Sequence, residues 1–394
     1  MKRMFLVCGL AFLLCASVRA AEEAGLADLK IGDPAPGFDL PGIDDRRHTL
    51  QDYDGAEVLL VAFLSNHCPD SQGAESRIKQ LAADFKGPRF ALVAINPNDP
   101  QALRPDELGY SVHGDTFPEM KLHAKERGFS FPYLYDGETQ SVAKSYGCLA
   151  TPHIFIFDKD RKLRYKGYFD DSRFGDPATV KDQAARTAVQ ALLSGKPVVN
   201  AVTKPHGCST KWASKRSLVA VDDEKWETAE VELSPIDASG IAVLRKNNTG
   251  KVRIFNVWAT WCAPCVAEFP ELVATQRKFG LRPVELITIS MDQPSDLAKA
   301  KAFLEKQNAA IPEKLKPSLK AEGRTTNAYL YTGGSVDPLI EALDTEWPGP
   351  IPHTLVVAPG GEVIYRHNGK LEPGVLVDKI LGHLGRFYVP EAKP

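Results

Sequence analysis

Short, unbroken apolar runs alternate along this chain with longer stretches in which apolar residues return every three or four positions. VLLVAF (58–63), FALVAIN (90–96), VRIFNVW (252–258) and VELITIS (284–290) read as strands buried on both faces. The stretches from Asp70 to Phe85 and from Ala263 to Phe279 have helical spacing. Strands that alternate with helices in this way predict an α/β fold, a central mixed sheet flanked by helices.

The pattern occurs twice. VLLVAF leads to SNHC and a helix; VRIFNVW leads to ATWCAPC and a helix. Later, TPHIFIFDKDRKLRYKGY (151–168) matches IPHTLVVAPGGEVIYRHNG (351–369), each an x-Pro-His start, a strand, a turn and a second strand. If SNHC is a Cys-x-x-Cys whose first position is Ser65, its Cys68 stands 84 residues before Pro152, and Cys265 stands 87 before Pro352. Two motifs kept at nearly one separation argue for two copies of one fold. The expected division is 30–195 and 226–390, joined by a linker over 196–225 that carries Pro197, Pro205 and a charged patch. Asn98 to Gly114 and residues 311–350 read as insertions, walls of a cleft or surface decoration.

Composition adds the compartment. The 394 residues, 43% hydrophobic and 25% charged, suit a globular chain of two domains. Lys2 and Arg3 precede the apolar run Met4–Ala16, and Val18-Arg19-Ala20 offers a cleavage site, so residues 1–20 read as an export signal too short to span a bilayer. The competing lipoprotein reading through Cys15 meets Leu14 where a small residue is wanted. Cleavage takes 48 bases to 45 against 50 acids, which excludes a nucleic-acid partner on charge grounds. No second apolar stretch is long enough to make the chain an integral membrane protein. Removal of Cys8 and Cys15 leaves five of seven cysteines, an odd number in an oxidising periplasm or cell envelope.

Cys262-Ala263-Pro264-Cys265 carries the strongest chemistry. A helix that starts at Cys262 aims unpaired N–H groups at its sulfur and favours the thiolate. Spacing of three puts Cys265 within reach of a mixed disulfide on Cys262. Pro264 fits the first turn, where its missing N–H costs nothing. Pro352 is the expected cis proline facing the thiols. Half of a zinc site lacks a second ligand pair, and an inert disulfide would staple no loop here. No cofactor and no metal is implied.

VWATWCAPCVAEFPEL resembles the active-site segment of the TlpA-like, ResA-like thiol–disulfide oxidoreductases, thioredoxin-fold proteins of the bacterial envelope. The likeness runs from Trp226 to Tyr388 and includes an early hairpin, VELSPIDASGIAVL, and the Ile-Pro-His turn. It implies that Glu268, three residues past Cys265, tunes thiol protonation and shuttles protons; a solvated helix glutamate is the alternative. The first half resembles the redoxin branch of the peroxiredoxin superfamily, the alkyl hydroperoxide reductase and thiol-specific antioxidant type, through IGDPAPGFDL, AINPND, FPYLYDGETQSVAKSYG and TPHIFIFD. Together the two resemblances imply two tandem thioredoxin-like domains.

Relatives of the first half often read CNHCP, so Ser65 removes a sulfur and defeats a dithiol within that motif. Cys68, at a helix start beside His67, still favours thiolate, and Ser65 with Cys68 fits the Ser-x-x-Cys of a peroxidatic site. The proline and arginine of such sites are absent: Val61 stands nearest the first, and Thr151-Pro152 replaces the second. Cys148 and Cys208 are the candidates to resolve an oxidised Cys68; Cys148 as an inert core residue, and His67, His206 and Cys208 as a soft-metal set, are the competing readings.

Three functions follow. The first is an exported enzyme that exchanges disulfides through Cys262 and Cys265 with envelope protein thiols and a membrane electron donor. In the second, Cys68 reduces peroxides and the downstream dithiol regenerates it in cis. The third makes the first domain a non-catalytic module that docks clients.

Overall fold

The computed structural model describes residues 25–388, so the stretch 1–20 read as an export signal, with Cys8 and Cys15, lies outside the described residues. The described chain divides into two α/β units. In chain order the first holds strands β1 (Asp39–Pro41), β2 (Arg47–Thr49), β3 (Val58–Phe63), β4 (Phe90–Asn96), β5 (Tyr133–Tyr135), β6 (Ala150–Thr151), β7 (His153–Phe157), β8 (Leu163–Gly167) and β9 (Cys208–Ser209). Its main sheet runs β5-β4-β3-β7-β8. β3, β4 and β5 are parallel; β7 runs antiparallel to β3, and β8 antiparallel to β7. β3 is buried at every position because helices cover both faces of a parallel pair.

The second unit repeats this plan with β10 (Ser234–Ile236), β11 (Val252–Trp258), β12 (Val284–Ser290), β13 (Ala328–Tyr331), β14 (His353–Val357) and β15 (Val363–Asn368). The order is β10-β13-β12-β11-β14-β15; the first four strands are parallel and the last two antiparallel. The closing β14–β15 turn places Gly360 and Gly361 at φ 84° and 90°, where glycine carries no Cβ penalty. Under helix Ala263–Lys278, Trp258 packs against Phe269 and Phe303, with ring centroids 5.0 and 4.8 Å away.

Four expectations change. Residues 311–350 are not an insertion, because they contain β13, an inner strand of the sheet. Their charged approach masked it: Glu322 and Arg324 pair with Lys251, Arg253 and Glu285, which lie buried against the sheet. The segment 196–225 is not a free linker. Ala201 and Thr203 hydrogen-bond to Lys166, and β9 pairs with β6. VELSPIDASGIAVL is one short strand and a helix, Ala238–Lys246, because Asp237 caps it by accepting from the Gly240 N–H at 2.8 Å and Ile241 and Leu244 share a buried face. Finally, the expected insertion 98–114 is divided: residues 104–112 group with the second unit, held by Arg282, which donates to the Gly109 carbonyl at 2.9 Å and stacks 4.2 Å over Tyr110.

Candidate active sites

Cys262 is the N-cap of a 16-residue helix, and its sulfur accepts the Cys265 N–H at 3.3 Å. The two cysteines form a disulfide. The Ile351 carbonyl oxygen lies 3.8 Å from Cys262 Sγ, and the Ile351–Pro352 bond is cis. Trp347, from the segment read as an insertion, stacks on His353 at 4.7 Å and donates to the Pro350 carbonyl, which holds this loop against the thiols. Both cysteines are buried, and Trp261 beside them is 66% exposed.

Glu268 is buried. One carboxylate oxygen accepts from Asn256 at 3.0 Å and the other from the Leu371 N–H at 2.8 Å. Burial raises its pKa against the pull of these two donors; a carboxyl so placed exchanges a proton closer to neutrality. The solvated-glutamate alternative therefore fails on burial.

In the first unit Cys68 is also the N-cap of a 16-residue helix, Pro69–Asp84. Its thiol donates to the Thr151 carbonyl at 3.0 Å, and Thr151–Pro152 is cis. Strand register corrects the motif alignment. Phe63 pairs with His153, and Val257 pairs with His353; five residues beyond each stand Cys68 and Cys262. Cys68 therefore matches Cys262, not Cys265, and Ser71 occupies the place of the second sulfur. Sequence spacing misled by three residues because Ser65 imitates the first half of a Cys-x-x-Cys. The Ser65 hydroxyl instead bonds Thr151 Oγ1 at 2.7 Å.

Charges absent from the sequence argument surround Cys68. His67 Nδ1 lies 2.6 Å from Asp115 Oδ2. Asp115 also accepts from the Asn66 N–H, Asn96 and Asn98; burial opposes its charge, but His67 and these donors hold it at about 2. Asp70, buried beside the sulfur, accepts from Arg173 Nε at 2.6 Å and faces His206 Nδ1 at 3.5 Å. Arg173 reaches Asp70 from beyond β8; the Asp70 carboxylate is the main cause of its raised pKa, and the Cys68 charge adds a smaller contribution. No motif marks Asp115 or Arg173, since one sequence does not separate a buried acid from the many on the surface.

β9 brings Cys208 to this site. Thr151 is its partner in the β6–β9 register, and the Cys208 N–H donates to Cys68 Sγ at 3.3 Å. Burial pushes the Cys68 pKa up, but a hydrogen bond from the Cys208 thiol, the His67 charge and the Ser71 N–H bring it down to about 6. The neighbouring sulfur holds Cys208 well above the ordinary thiol range. Cys148 goes elsewhere: its thiol meets the Ala150 carbonyl and Thr210, it packs with Phe63, Tyr146 and Phe155, and burial pushes it up to about 12. It is not brought to Cys68. His206 turns its other nitrogen to the Asp170 carbonyl at 2.9 Å, so His67, His206 and Cys208 are not gathered as metal ligands.

Residues 31–166 and 227–366 each match the model of one family, described as AhpC/TSA. The chain belongs to the AhpC/TSA family. The thiol–disulfide oxidoreductase ResA of Geobacillus thermodenitrificans is 25% identical over 134 residues, 34% of this chain and 67% of that one. Alkyl hydroperoxide reductase E of Mycobacterium bovis is 26% identical over 174 residues, 42% of this chain and 99% of that one. A hypothetical protein of Sinorhizobium meliloti 1021 has a solved structure 38% identical, covering 48% of this chain and 97% of that one at a TM-score of 0.43. This AhpC/TSA protein is a tandem thioredoxin-fold oxidoreductase. Among its described residues no helix is long and apolar enough to cross a membrane.

Proposed function

We propose that the second unit of this AhpC/TSA protein exchanges disulfides with other proteins through Cys262 and Cys265. The observation that carries this reading is a disulfide at a helix N-terminus, its N-cap sulfur accepting a backbone N–H and facing a cis proline. In the reduced enzyme the Cys262 thiolate attacks one sulfur of a client disulfide and expels the other as thiolate. Cys265 then attacks Cys262, releasing the client as a dithiol; the reverse sequence oxidises a client. Glu268 accepts the Cys265 proton, and its raised pKa fits the task. The partners are envelope protein thiols and a membrane electron donor, and residues 1–20 direct export to the periplasm. In an insulin-reduction assay Cys262→Ser abolishes turnover; retained turnover in that variant refutes the assignment.

A second reading concerns peroxides. It is favoured by Cys68 having no exposed surface, so that only a small oxidant reaches it, and by a pKa of about 6. Stopped-flow mixing with hydrogen peroxide tests it. Sulfenate forms at Cys68 faster than at a free thiol, and an equal or slower rate rejects the reading.

A further inference from the structure

Ser71 stands where a second sulfur would complete the first unit's motif, and the chain supplies that sulfur from another direction. Three observations place it. β9 pairs with the strand ahead of the cis proline, setting Cys208 opposite Thr151. The Cys208 N–H and the Thr151 carbonyl both contact Cys68 Sγ, at 3.3 and 3.0 Å. The two sulfurs perturb each other's ionisation: after burial, Cys208 has the largest effect on Cys68 and lowers it, and Cys68 has the largest effect on Cys208 and raises it. The Cys68 sulfur is fully buried, whereas Cys208 is partly exposed.

We propose that Cys68 and Cys208 form a second dithiol–disulfide couple, built from non-contiguous chain, which exchanges with external thiols through the sulfur of Cys208. This couple is independent of the Cys262–Cys265 reading. In the oxidised form an incoming thiolate reaches only Cys208. It bonds to that sulfur, the Cys68–Cys208 bond breaks, and its electron pair leaves on Cys68. A second thiolate attacks the external sulfur of this mixed disulfide and forms the external disulfide, while Cys208 leaves as thiolate and takes up a proton. The net reaction consumes two thiols and yields one external disulfide and the reduced pair; its reverse, with a disulfide as oxidant, restores the bond. Leaving groups of low pKa depart faster, and the Ser71 and Cys208 N–H groups, the helix N-terminus and His67 all favour the Cys68 anion. Stabilising the reduced form also makes the couple more oxidising than an ordinary pair of thiols. The two sulfurs thus divide the labour, since the partly exposed one exchanges and the buried one holds charge.

The test uses the full chain carrying Cys262→Ser and Cys265→Ser, which silences the other dithiol. It is equilibrated across ratios of reduced to oxidised glutathione, quenched in acid, alkylated and mapped by peptide mass spectrometry. The expected product is a peptide pair linked through Cys68 and Cys208, its fraction rising with oxidised glutathione. Adding Cys68→Ser abolishes the link and leaves glutathione on Cys208; adding Cys208→Ser abolishes it and leaves Cys68 free of glutathione. A parallel arm with a reduced thioredoxin-type protein in place of glutathione separates a protein dithiol from a small thiol as the faster donor, and either reduces the pair at Cys208. Absence of the link at every ratio, or glutathione on Cys68 in the Cys208→Ser chain, overturns the proposal. Because the parent chain alone must form the link, a variant that misfolds does not rescue the idea.

Discussion

Replacing Cys208 by alanine isolates the contribution of its thiol, because the backbone N–H that meets Cys68 Sγ at 3.3 Å is retained. Burial works against the Cys68 thiolate, and the Cys208 thiol is the largest influence opposing it. A hydrogen bond to a charged group contributes about 1.5–3 kcal/mol. One pKa unit corresponds to about 1.36 kcal/mol, so the substitution moves the Cys68 midpoint up by about 1–2 units. From a start of about 6, the variant titrates near ~7–8. At pH ~6 the thiolate fraction then falls from about one half to roughly 1–10%. The assay is the thiolate absorbance at about 240 nm followed against pH, in the Cys262→Ser, Cys265→Ser background, with a Cys68→Ser chain subtracted; the pKa logic is that of a tuned thiol. A midpoint that stays put, or moves down, refutes the claim that a thiol–thiol hydrogen bond holds this anion.

The remaining predictions concern other parts of the molecule. Glu268→Gln lowers insulin-reduction turnover by roughly tenfold to a hundredfold and removes an inflection from its pH profile; an unchanged profile denies the carboxyl a part in proton transfer. Trp258→Ala, which empties the space between Phe269 and Phe303, costs about 3–5 kcal/mol in urea unfolding, and a loss under ~1 kcal/mol contradicts the packing described. Asp136 is buried and its carboxyl is pushed up from 3.8 to about 6, so its protonated form stabilises the fold below the unfolded pKa and that contribution is lost as pH rises through ~6. Relative to Asp136→Asn, the parent chain therefore loses up to about 3 kcal/mol between pH ~4 and ~6; parallel stability curves for the two chains would exclude this.

Much of the fold is legible along the chain, for a definable reason. The strands 58–63, 90–96, 252–258 and 284–290 are observed with the expected bounds, since a strand covered on both faces must be apolar throughout. Cys262-Ala263-Pro264-Cys265 is legible too, because the helix start, both sulfurs and the proline between them lie within one helical turn. Elements whose burial comes from distant partners were not. β13 was hidden inside an apparent insertion, its approach disguised by charges that pair only across the sheet. Asp237 turned an expected hairpin into a helix through a single cap.

What the sequence by itself determined is the doubled α/β plan, the Cys-x-x-Cys pair, and a cysteine, Cys68, at a helix start. These rest on local periodicity and on spacing within one turn. Only the tertiary structure decided that Cys68 corresponds to Cys262, that Asp115 and Arg173 stand around it, and that its companion sulfur is Cys208 rather than Cys148. Each of those depends on strand register or on the route of a loop, and the hydrogen bonds that gather the site join residues some fifty to a hundred and forty positions apart. No pattern local to Cys68 encodes them.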